Sequence, residues 1–432
     1  MIWFIFFICI LLLLHDRRTI VPVFFIASMW INTDVRCGTL SFISMLSIFI
    51  VLFGLYTQKK NLTYKTNIDR TIIRYFIYAI FVNVPFILLS TDLSVLSQIN
   101  AIKSQILSVI LAFFIWRWTP YDTQTHKRQL LFINVSIIIL CFYGIYSYFT
   151  MSNPYMDIME QYCTMEDLSD ILTRSMEDAR GNLHGRITGT SLYTIQYGIL
   201  LVLVIFIYQA FSAWNKSKVM QFVILILVLI NIYLTGSRGP LGALLVGMAY
   251  YLMRSLSWKK RVTYTLAILF FIFVGWPYFE SYFSLFTDSD ISGSSFEMRV
   301  AQFGGALSMV SNNIQSLLFG KGFGYTAYYL TNYGIHPVAY SFESTHVSGI
   351  VNYGILGLIF IFLCNILFLY YVARKAYNKE LIDNNSYFLL SSYLIAYVVY
   401  NLLVGNVYNG LFLFGFFVIL KMCIAQKRKI NS

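Results

Sequence analysis

The chain has 432 residues, of which 58% are hydrophobic and only 12% are charged, and its formal net charge is +12. About a quarter of the residues in a soluble domain are charged, so this composition excludes an ordinary water-soluble protein. The lysines and arginines are spread over alternate short loops and not over one continuous stripe, which argues against nucleic acid as a partner. The sequence predicts one integral membrane domain over residues 1–432, of the all-α polytopic class.

Apolar runs long enough to cross a bilayer, about 20 residues each, follow one another along the chain. Two shorter runs, 2–14 and 19–31, are predicted as short tilted spans or as a hairpin. Together the runs predict about 11–13 transmembrane helices. The longer runs are 38–56, 71–90, 96–118, 129–150, 191–211, 219–236, 239–255, 262–280, 347–372, 386–404 and 408–422.

The loops between these runs differ in charge. Loops rich in lysine and arginine are expected on the cytoplasmic side, and the C-terminal tail is one of them. Residues 151–190 form an acidic loop that is predicted on the opposite, outer side. Residues 281–346 form the longest segment outside the predicted spans. This segment is also predicted on the outer side, and the span 347–372 follows it. The chemistry of the protein is expected in these outer segments.

The turn at 235–240 joins two predicted spans. Ser237 is predicted to cap the following helix, and Pro240 is predicted to lie in its first turn. Arg238 is then placed at the outer membrane face, beside the free amides of a helix start. The simpler interpretation is an arginine that snorkels to the headgroups. Small residues at four-residue spacing allow a neighbouring helix to pack closely, and they are Gly239, Ala243 and Gly247.

A second arginine lies in a predicted amphipathic helix of the long outer segment. Ser294 and Glu297 have capping-box spacing. Apolar residues then recur at helical intervals and predict a stripe that packs on the membrane domain. Arg299 stands near the positive end of this helix, where a cation is unfavourable unless an anion is bound. The simpler interpretation is a helix that only packs. The stripe consists of Phe296, Val300, Phe303, Leu307, Val310, Ile314 and Leu317.

A histidine follows Glu343 where the outer segment re-enters the membrane, and it is His346. Histidine takes up a proton near neutral pH, and together with the two arginines it suggests group transfer from a lipid pyrophosphate. A structural histidine is the simpler interpretation of this residue alone. Lys103 lies inside a predicted span and either lines a cavity or reaches the interface. The pair Asp288 and Asp290 is predicted to belong to a solvated loop and not to a metal site.

The order of these pieces resembles the O-antigen ligase and O-antigen polymerase superfamily. The motifs that carry the resemblance are Thr-Gly-Ser-Arg-Gly at 235–239, Arg299, the glycine-rich run at 318–324, His346 and Val-Asn-Tyr-Gly-Ile-Leu-Gly-Leu at 351–358. The upstream segment 185–190, which contains Arg186, is similar to the family's segment before the next span. The chain departs from the family pattern in having Val347 in place of an asparagine, and in having no tryptophan shortly after Arg299.

The resemblance implies a membrane enzyme of a bacterial inner membrane that works at the periplasmic face. It would transfer a glycan from undecaprenyl pyrophosphate with inversion, without a metal ion or a cofactor. Carried onto this chain, the resemblance assigns Arg238 and Arg299 to the leaving pyrophosphate, and His346 to the base that activates the acceptor hydroxyl. The family activity favoured for this sequence is polymerisation of lipid-linked oligosaccharide repeat units.

Further candidate residues and partners complete the prediction. Arg186, Glu343 and Lys103 are candidate accessory residues. The implied partners are a lipid-linked oligosaccharide donor and acceptor, membrane lipid and a polysaccharide chain-length regulator. Ligation of the glycan to lipid A core uses the same donor and stays open, as does the choice between O-antigen and capsule. A transporter or flippase of lipid-linked glycans is a further alternative, although the charges gather at the outer rim and not deep in the spans, and a noncatalytic scaffold is the last.

Overall fold

The structure is a computed structural model that describes residues 2–31, 36–37, 40–57, 68–119, 123–160, 185–191, 193–212, 214, 217–259, 261–263, 296–339, 342, 344–404 and 409–431. Most of these residues are helical. One small antiparallel hairpin pairs β1 (Arg36–Cys37) with β2 (Leu40–Ser41). Apart from this hairpin, the described part of the chain has the all-α architecture that the sequence predicts.

Helices in the first part of the chain follow the predicted spans closely. The two short N-terminal runs are separate helices joined by a 3-10 turn at Arg17–Thr19. The helices are α1 (Ile2–His15), α2 (Ile20–Trp30), α3 (Phe42–Thr57), α4 (Asp69–Phe81), α5 (Val84–Leu89), α6 (Val95–Trp118), α7 (Thr123–Thr150) and α8 (Pro154–Glu160).

The second part of the chain adds both long and short helices. A π-helical stretch, Leu358–Leu363, joins two of them. The helices are α9 (Thr194–Ser212), α10 (Lys218–Leu234), α11 (Arg238–Ser255), α12 (Phe296–Ser311), α13 (Ile314–Phe319), α14 (Tyr325–Tyr333), α15 (Thr345–Gly357), α16 (Cys364–Asn378), α17 (Asn384–Leu403) and α18 (Asn409–Asn431).

Several helical stretches have the length and composition needed to cross a membrane. Within the described residues these are Asp69–Leu89, Val95–Trp118, Gln129–Thr150, Thr194–Ser212 and Thr345–Asn378. Other predicted spans coincide with shorter apolar helices such as α2 and α10. The predicted span 262–280 lies outside the described residues from 264 onwards, and so does most of the acidic loop, from 161 to 184. The chain is therefore a multi-pass α-helical membrane protein.

Close packing of α11 against α17 is a central feature of the fold. Gly247 is buried at this contact, where an added Cβ would lie 2.8 Å from the Cβ of Ala396 and 3.0 Å from the carbonyl oxygen of Ser392. Gly239 and Ala243 are buried along the same helix. The predicted stripe of small residues is thus confirmed, because only a minimal side chain lets the two backbones approach this closely.

The predicted span 347–372 lies within an apolar helical stretch of sufficient length, Thr345–Asn378, but this stretch is not one continuous helix. Gly354 interrupts it with φ 69° and ψ −175°. A straight helix would separate His346 from Phe362 by about 24 Å, yet their ring centroids are 5.2 Å apart. The first part of α15 therefore folds back on the π-helical stretch. Local hydropathy cannot show this, because both arms of the fold-back are apolar.

The outer helix predicted from the capping-box spacing is present as α12, but its packed face matches the predicted stripe only in part, at the fully buried Val310. Val300 and Phe303 are 56% and 45% exposed, whereas Ala306 is fully buried. Gly305 explains the difference, because an added Cβ there would lie 2.9 Å from the backbone nitrogen of Ala339. Small residues let α12 approach the segment at Val338 and Ala339 closely along this face. The larger apolar residues at the N-terminal end of α12 therefore turn outward.

Lys421 corrects one assignment made from charge alone. The sequence groups it with the basic C-terminal tail, but it lies within α18 and is only 5% exposed. Its ammonium donates to the carbonyl oxygen of Trp116 at 2.9 Å and lies 4.3 Å from the Trp116 ring centroid. Lys421 therefore holds α18 against α6, which is a structural role that the spacing of charges does not reveal.

Candidate active site

The segment before α9 and the turn before α11 are held together by Arg186. This side chain is buried, and its guanidinium donates to the carbonyl oxygen of Thr235 at 2.9 Å, to Oγ1 of Thr194 at 2.6 Å and to Oγ of Ser237 at 3.1 Å. Gly236 has φ 57° and crosses the Arg186 side chain so closely that an added Cβ would lie 3.1 Å from its Cγ. Arg186 is thus the internal support of this turn.

The turn delivers Arg238 to the first position of α11. Ser237 occupies the predicted N-cap position, but its hydroxyl makes no capping bond to the helix. It donates instead to Oγ1 of Thr194 at 3.2 Å, so the predicted side-chain cap is wrong. Pro240 lies in the first turn as predicted and is buried. Arg238 itself is half-buried at the helix start.

The register between α11 and α17 shows which end of α17 Arg238 approaches. Gly247 lies against Ser392 and Ala396, while Tyr251, further along α11, lies within electrostatic range of Asp383, just before α17. The two helices therefore run antiparallel. Arg238, two and a half turns before Gly247, is placed beside the last turn of α17.

The start of α15 meets the same end of α17. Thr345, the first residue of α15, donates from Oγ1 to Oδ1 of Asn401 at 2.9 Å, and Asn401 is fully buried in the last turns of α17. Ser344 caps α15, accepting from the backbone N–H of Val347 at 3.1 Å. The next residue after Thr345 is His346. The structure thus brings Arg238 and His346, which are far apart in sequence, to one end of one helix.

His346 differs from the polar residues around it in having an unused nitrogen. Its ring is half-buried and stands edge-on to Phe362, with an interplanar angle of 86°. Its Nε2 is buried and has no hydrogen-bond partner within the described part of the chain. A buried polar atom without a partner costs about 1–3 kcal/mol. Such a cost is expected at a site where the atom binds a ligand or moves a proton.

The glycine-rich run 318–324 supplies hydrogen-bond partners for backbone groups that the break in α15 leaves free. α13 ends at this run with Gly320 at φ 77°, which confirms the predicted helix-ending turn. The carbonyl oxygens of Val351 and Asn352, freed by the break, accept from the backbone N–H groups of Lys321 at 2.8 Å and Gly322 at 3.0 Å. Backbone groups exposed by an interrupted helix must find partners inside a membrane protein, and here a second chain segment supplies them.

Glycines permit this interlock on both sides. A Cβ on Gly320 would lie 2.4 Å from the backbone nitrogen of Tyr353, and a Cβ on Gly354 would lie 2.4 Å from the carbonyl oxygen of Leu318. Both glycines have positive φ, a backbone conformation that residues with a side chain rarely adopt. The two sequence motifs at 318–324 and 351–358 therefore form one interlocked unit behind the start of α15.

The interlocked unit is anchored to the start of α6. The carbonyl oxygen of Lys321 accepts from the backbone N–H groups of Asp92 and Leu93 at 3.1 and 3.2 Å, and its ammonium pairs with the Asp92 carboxylate at 3.0 Å. Partial burial opposes the charge of Lys321, but the bond to Asp92 and the nearby Tyr325 outweigh burial and raise the pKa of Lys321. This lysine stays charged at any physiological pH.

The structure places the other candidate residues from the sequence in different surroundings. Arg299 lies in the first turn of α12, and its side chain is outside the described residues. Glu343 lies outside the described residues. Lys103 is exposed on α6, and no described contact joins it to His346. Arg186, predicted as an accessory residue, is buried and bonded within the turn.

Two buried polar residues, on helices that contact α15, were not predicted from the sequence. Gln302 is 1% exposed, and neither polar atom of its carboxamide has a hydrogen-bond partner within the described residues. Gln302 is recognisable as a polar residue on the packed face of α12, but that face is known only from the structure. Asn401 was hidden in an apolar run, and its role follows only from its contact with Thr345.

Comparisons with known proteins add no identification to this geometry. Neither the family models nor the curated proteins contain a match to this chain. The arrangement of Arg238 and His346 is therefore the feature that bears on function.

Proposed function

We propose that this chain is a membrane glycosyltransferase that polymerises oligosaccharide repeat units carried on undecaprenyl pyrophosphate. The reaction is inverting and uses no metal ion. The multi-pass helical bundle supplies a surface for the lipid tail, and the site at the end of α17 faces the periplasm in a bacterial inner membrane, with the C-terminus in the cytoplasm. Both the lipid-linked donor and the lipid-linked acceptor reach this site from the membrane.

One observation carries the proposal. The buried Nε2 of His346 is unpartnered within the described residues, at the end of α17 that Arg238 also approaches. A neutral imidazole nitrogen accepts a proton from a hydroxyl, and an arginine fork binds a phosphate group. A base and a phosphate-binding cation on one side of a membrane are the two groups that glycosyl transfer from a lipid pyrophosphate requires.

The proposed reaction is a direct displacement at the anomeric carbon of the donor. His346 Nε2 takes the proton of the acceptor sugar hydroxyl while that oxygen forms a bond to the anomeric carbon of the donor. The bond from this carbon to the pyrophosphate oxygen breaks, and the pyrophosphate leaves with the electron pair. Arg238 and Arg299 neutralise the leaving group. A single displacement inverts the anomeric configuration, and no covalent enzyme intermediate is formed.

The decisive experiment compares variants in a strain from which the gene has been deleted. His346→Ala is expected to reduce chain extension about 10²- to 10⁴-fold, the usual contribution of a general base, at unchanged protein level. Arg238→Ala and Arg299→Ala are expected to lose extension as well. The matched controls are His15→Ala and Arg254→Ala, two exposed residues away from the site, which should retain full activity.

The glycan ladder of the deletion strain separates the activities. Lipopolysaccharide core that bears a single repeat indicates a lost polymerase, whereas bare core indicates a lost ligase. Full chain extension by all three site variants at normal protein level would refute a catalytic role. Reconstitution with a defined lipid-linked repeat, followed by product sizing, then measures the reaction without other proteins.

A further inference from the structure

Helix α14 carries a row of tyrosines, in which Tyr325 and Tyr329 are half-buried and Tyr333 is exposed. The helix begins after Gly324, which is left-handed, and none of its residues is buried. Tyr325, Tyr329 and Tyr333 recur at every fourth position, so they follow one side of the helix. Tyr333 is 65% exposed, and the neighbouring Tyr328 is 44% exposed.

The rings form a continuous strip. The centroids of Tyr325 and Tyr329 are 6.4 Å apart, and those of Tyr329 and Tyr333 are 5.2 Å apart. Tyr328 joins the strip at 6.0 Å from Tyr325 and 6.4 Å from Tyr333. These separations are those of mutually contacting aromatic rings. The row extends about 12 Å along the helix axis, which is long enough for a short oligosaccharide.

The strip leads to the start of α15. The Tyr329 ring lies 5.9 Å from the Phe342 ring and 5.6 Å from the His336 ring. Phe342 is buried in a cluster that includes Val347, the residue after His346. The tyrosine strip is therefore continuous with the element that carries the proposed catalytic base, and not a separate patch elsewhere on the molecule.

Polar groups accompany the rings. At one end of the strip, the Lys321 ammonium lies 5.0 Å from the Tyr325 ring centroid and pairs with Asp92. Thr331 and Asn332 are exposed beside Tyr333. Sugars present both C–H faces, which stack on aromatic rings, and hydroxyl groups, which bond to amide, hydroxyl and charged groups. A strip with both kinds of group matches that chemistry better than it matches a purely apolar partner.

We infer that the tyrosine strip of α14 is an oligosaccharide-binding subsite that holds part of a lipid-linked glycan next to His346. The inference rests on the proposed function and deepens it, because a polymerase must hold a saccharide chain between successive additions. Stacking on Tyr329 and Tyr333 would keep the glycan aligned with the start of α15. The interaction is noncovalent, so the strip sets how long the chain is held, and not the chemistry of transfer.

A binding measurement tests the subsite without relying on catalysis. The probe is the lipid-free repeat-unit oligosaccharide released from the source strain's own polysaccharide. Saturation-transfer NMR on protein in nanodiscs is expected to show binding by the wild type and by Tyr333→Phe. Tyr333→Ala should bind about five-fold more weakly, since one aromatic contact is lost. The control is Tyr233→Ala, which removes a 56% exposed tyrosine at the end of α10 and should leave binding unchanged.

The outcomes separate this inference from the proposed function. Absence of probe binding to the wild type, or equal binding by Tyr333→Ala and the wild type, overturns the subsite even if His346→Ala abolishes extension. Equal losses in Tyr333→Ala and Tyr233→Ala also overturn it, because they indicate a general role of interfacial tyrosines in the membrane. Weaker binding and shorter products in Tyr333→Ala support it. Retained chain extension by His346→Ala refutes the catalytic proposal. In that case the binding of the probe to Tyr333→Ala and the wild type still decides whether the subsite exists.

Discussion

The starts of α11 and α15 lie at the same end of the bundle but use their polar groups differently. At the start of α11, the Arg186 guanidinium is bonded to Thr235, Thr194 and Ser237. At the start of α15, the buried Nε2 of His346 has no hydrogen-bond partner among the described residues. One helix start is an internally bonded support, and the other leaves a buried nitrogen available.

This difference separates structural from functional polar residues. Both residues are charged or chargeable, and both belong to motifs that the family resemblance singles out. Internal hydrogen bonds stabilise the fold, so the loss of Arg186 should affect folding first. A buried nitrogen without a partner does not stabilise the fold, so the loss of His346 should affect only the reaction. Three substitutions test or refine this contrast.

The largest effect on stability is expected from Arg186→Met, which keeps the length of the side chain but removes its donors. The acceptors on Thr235, Thr194 and Ser237 lose their partner. A loss of about 4.5 kcal/mol is expected, the low end for three bonds to a charged group at about 1.5–3 kcal/mol each. Thermal unfolding in detergent and chain extension should fall together. Arg254→Met, which changes an exposed arginine in the last turn of α11, is the control. Loss of activity with an unchanged unfolding temperature would make Arg186 a ligand-binding residue and end the contrast.

A smaller loss, about 3 kcal/mol, is expected from Gly354→Ala, which combines strained backbone with steric overlap. Its φ is 69°, and the added Cβ would meet the Leu318 carbonyl oxygen at 2.4 Å. Two controls separate these causes. Gly334→Ala has φ 77° but meets nothing within 4 Å, so it should lose only about 1 kcal/mol. Gly304→Ala meets nothing in a helix and should be neutral or stabilising. Equal unfolding temperatures for all three variants would exclude the interlock as a source of stability.

The smallest effect on stability is expected from Thr345→Val. It removes the hydroxyl that donates to Asn401 at 2.9 Å, and leaving that buried oxygen unpaired costs about 1–2 kcal/mol. Because Thr345 precedes His346, the displaced helix start should lower chain extension by more than the fraction of unfolded protein accounts for. Thr150→Val, whose exposed hydroxyl bonds only to the nearby Tyr146 and Ser152, should change neither property. A matching loss of extension and folded protein in Thr345→Val would show that Asn401 does not position the base.

Some parts of the site follow directly from local sequence. The turn at 235–240 contains glycine and proline at positions that favour a helix start, and the structure places Arg238 there. The end of α13 at Gly320 was predicted for the same reason, since glycine adopts the left-handed conformation at little cost. Gly247 was predicted to allow close helix packing and does so. In each case the sequence signal consists of a few neighbouring residues of a recognisable type.

Other parts could not be predicted because they depend on distant partners. The run 347–372 is apolar throughout, and its break at Gly354 is satisfied only by backbone groups of the run 318–324. The packed face of α12 follows from the close approach at Gly305, not from the positions of its largest apolar residues. The role of Arg186 is decided by three acceptors that lie up to 51 residues away in sequence.

The sequence by itself determined the membrane class, the positions of most helices and the residue types available at one end of them. These properties follow from hydropathy and local backbone sterics. Only the tertiary structure decided that Arg238 and His346 share an end of α17, that Arg186 is internally bonded and that α15 folds back at Gly354. The physical reason is that hydrogen-bond partners and packed faces are chosen among residues far apart along the chain.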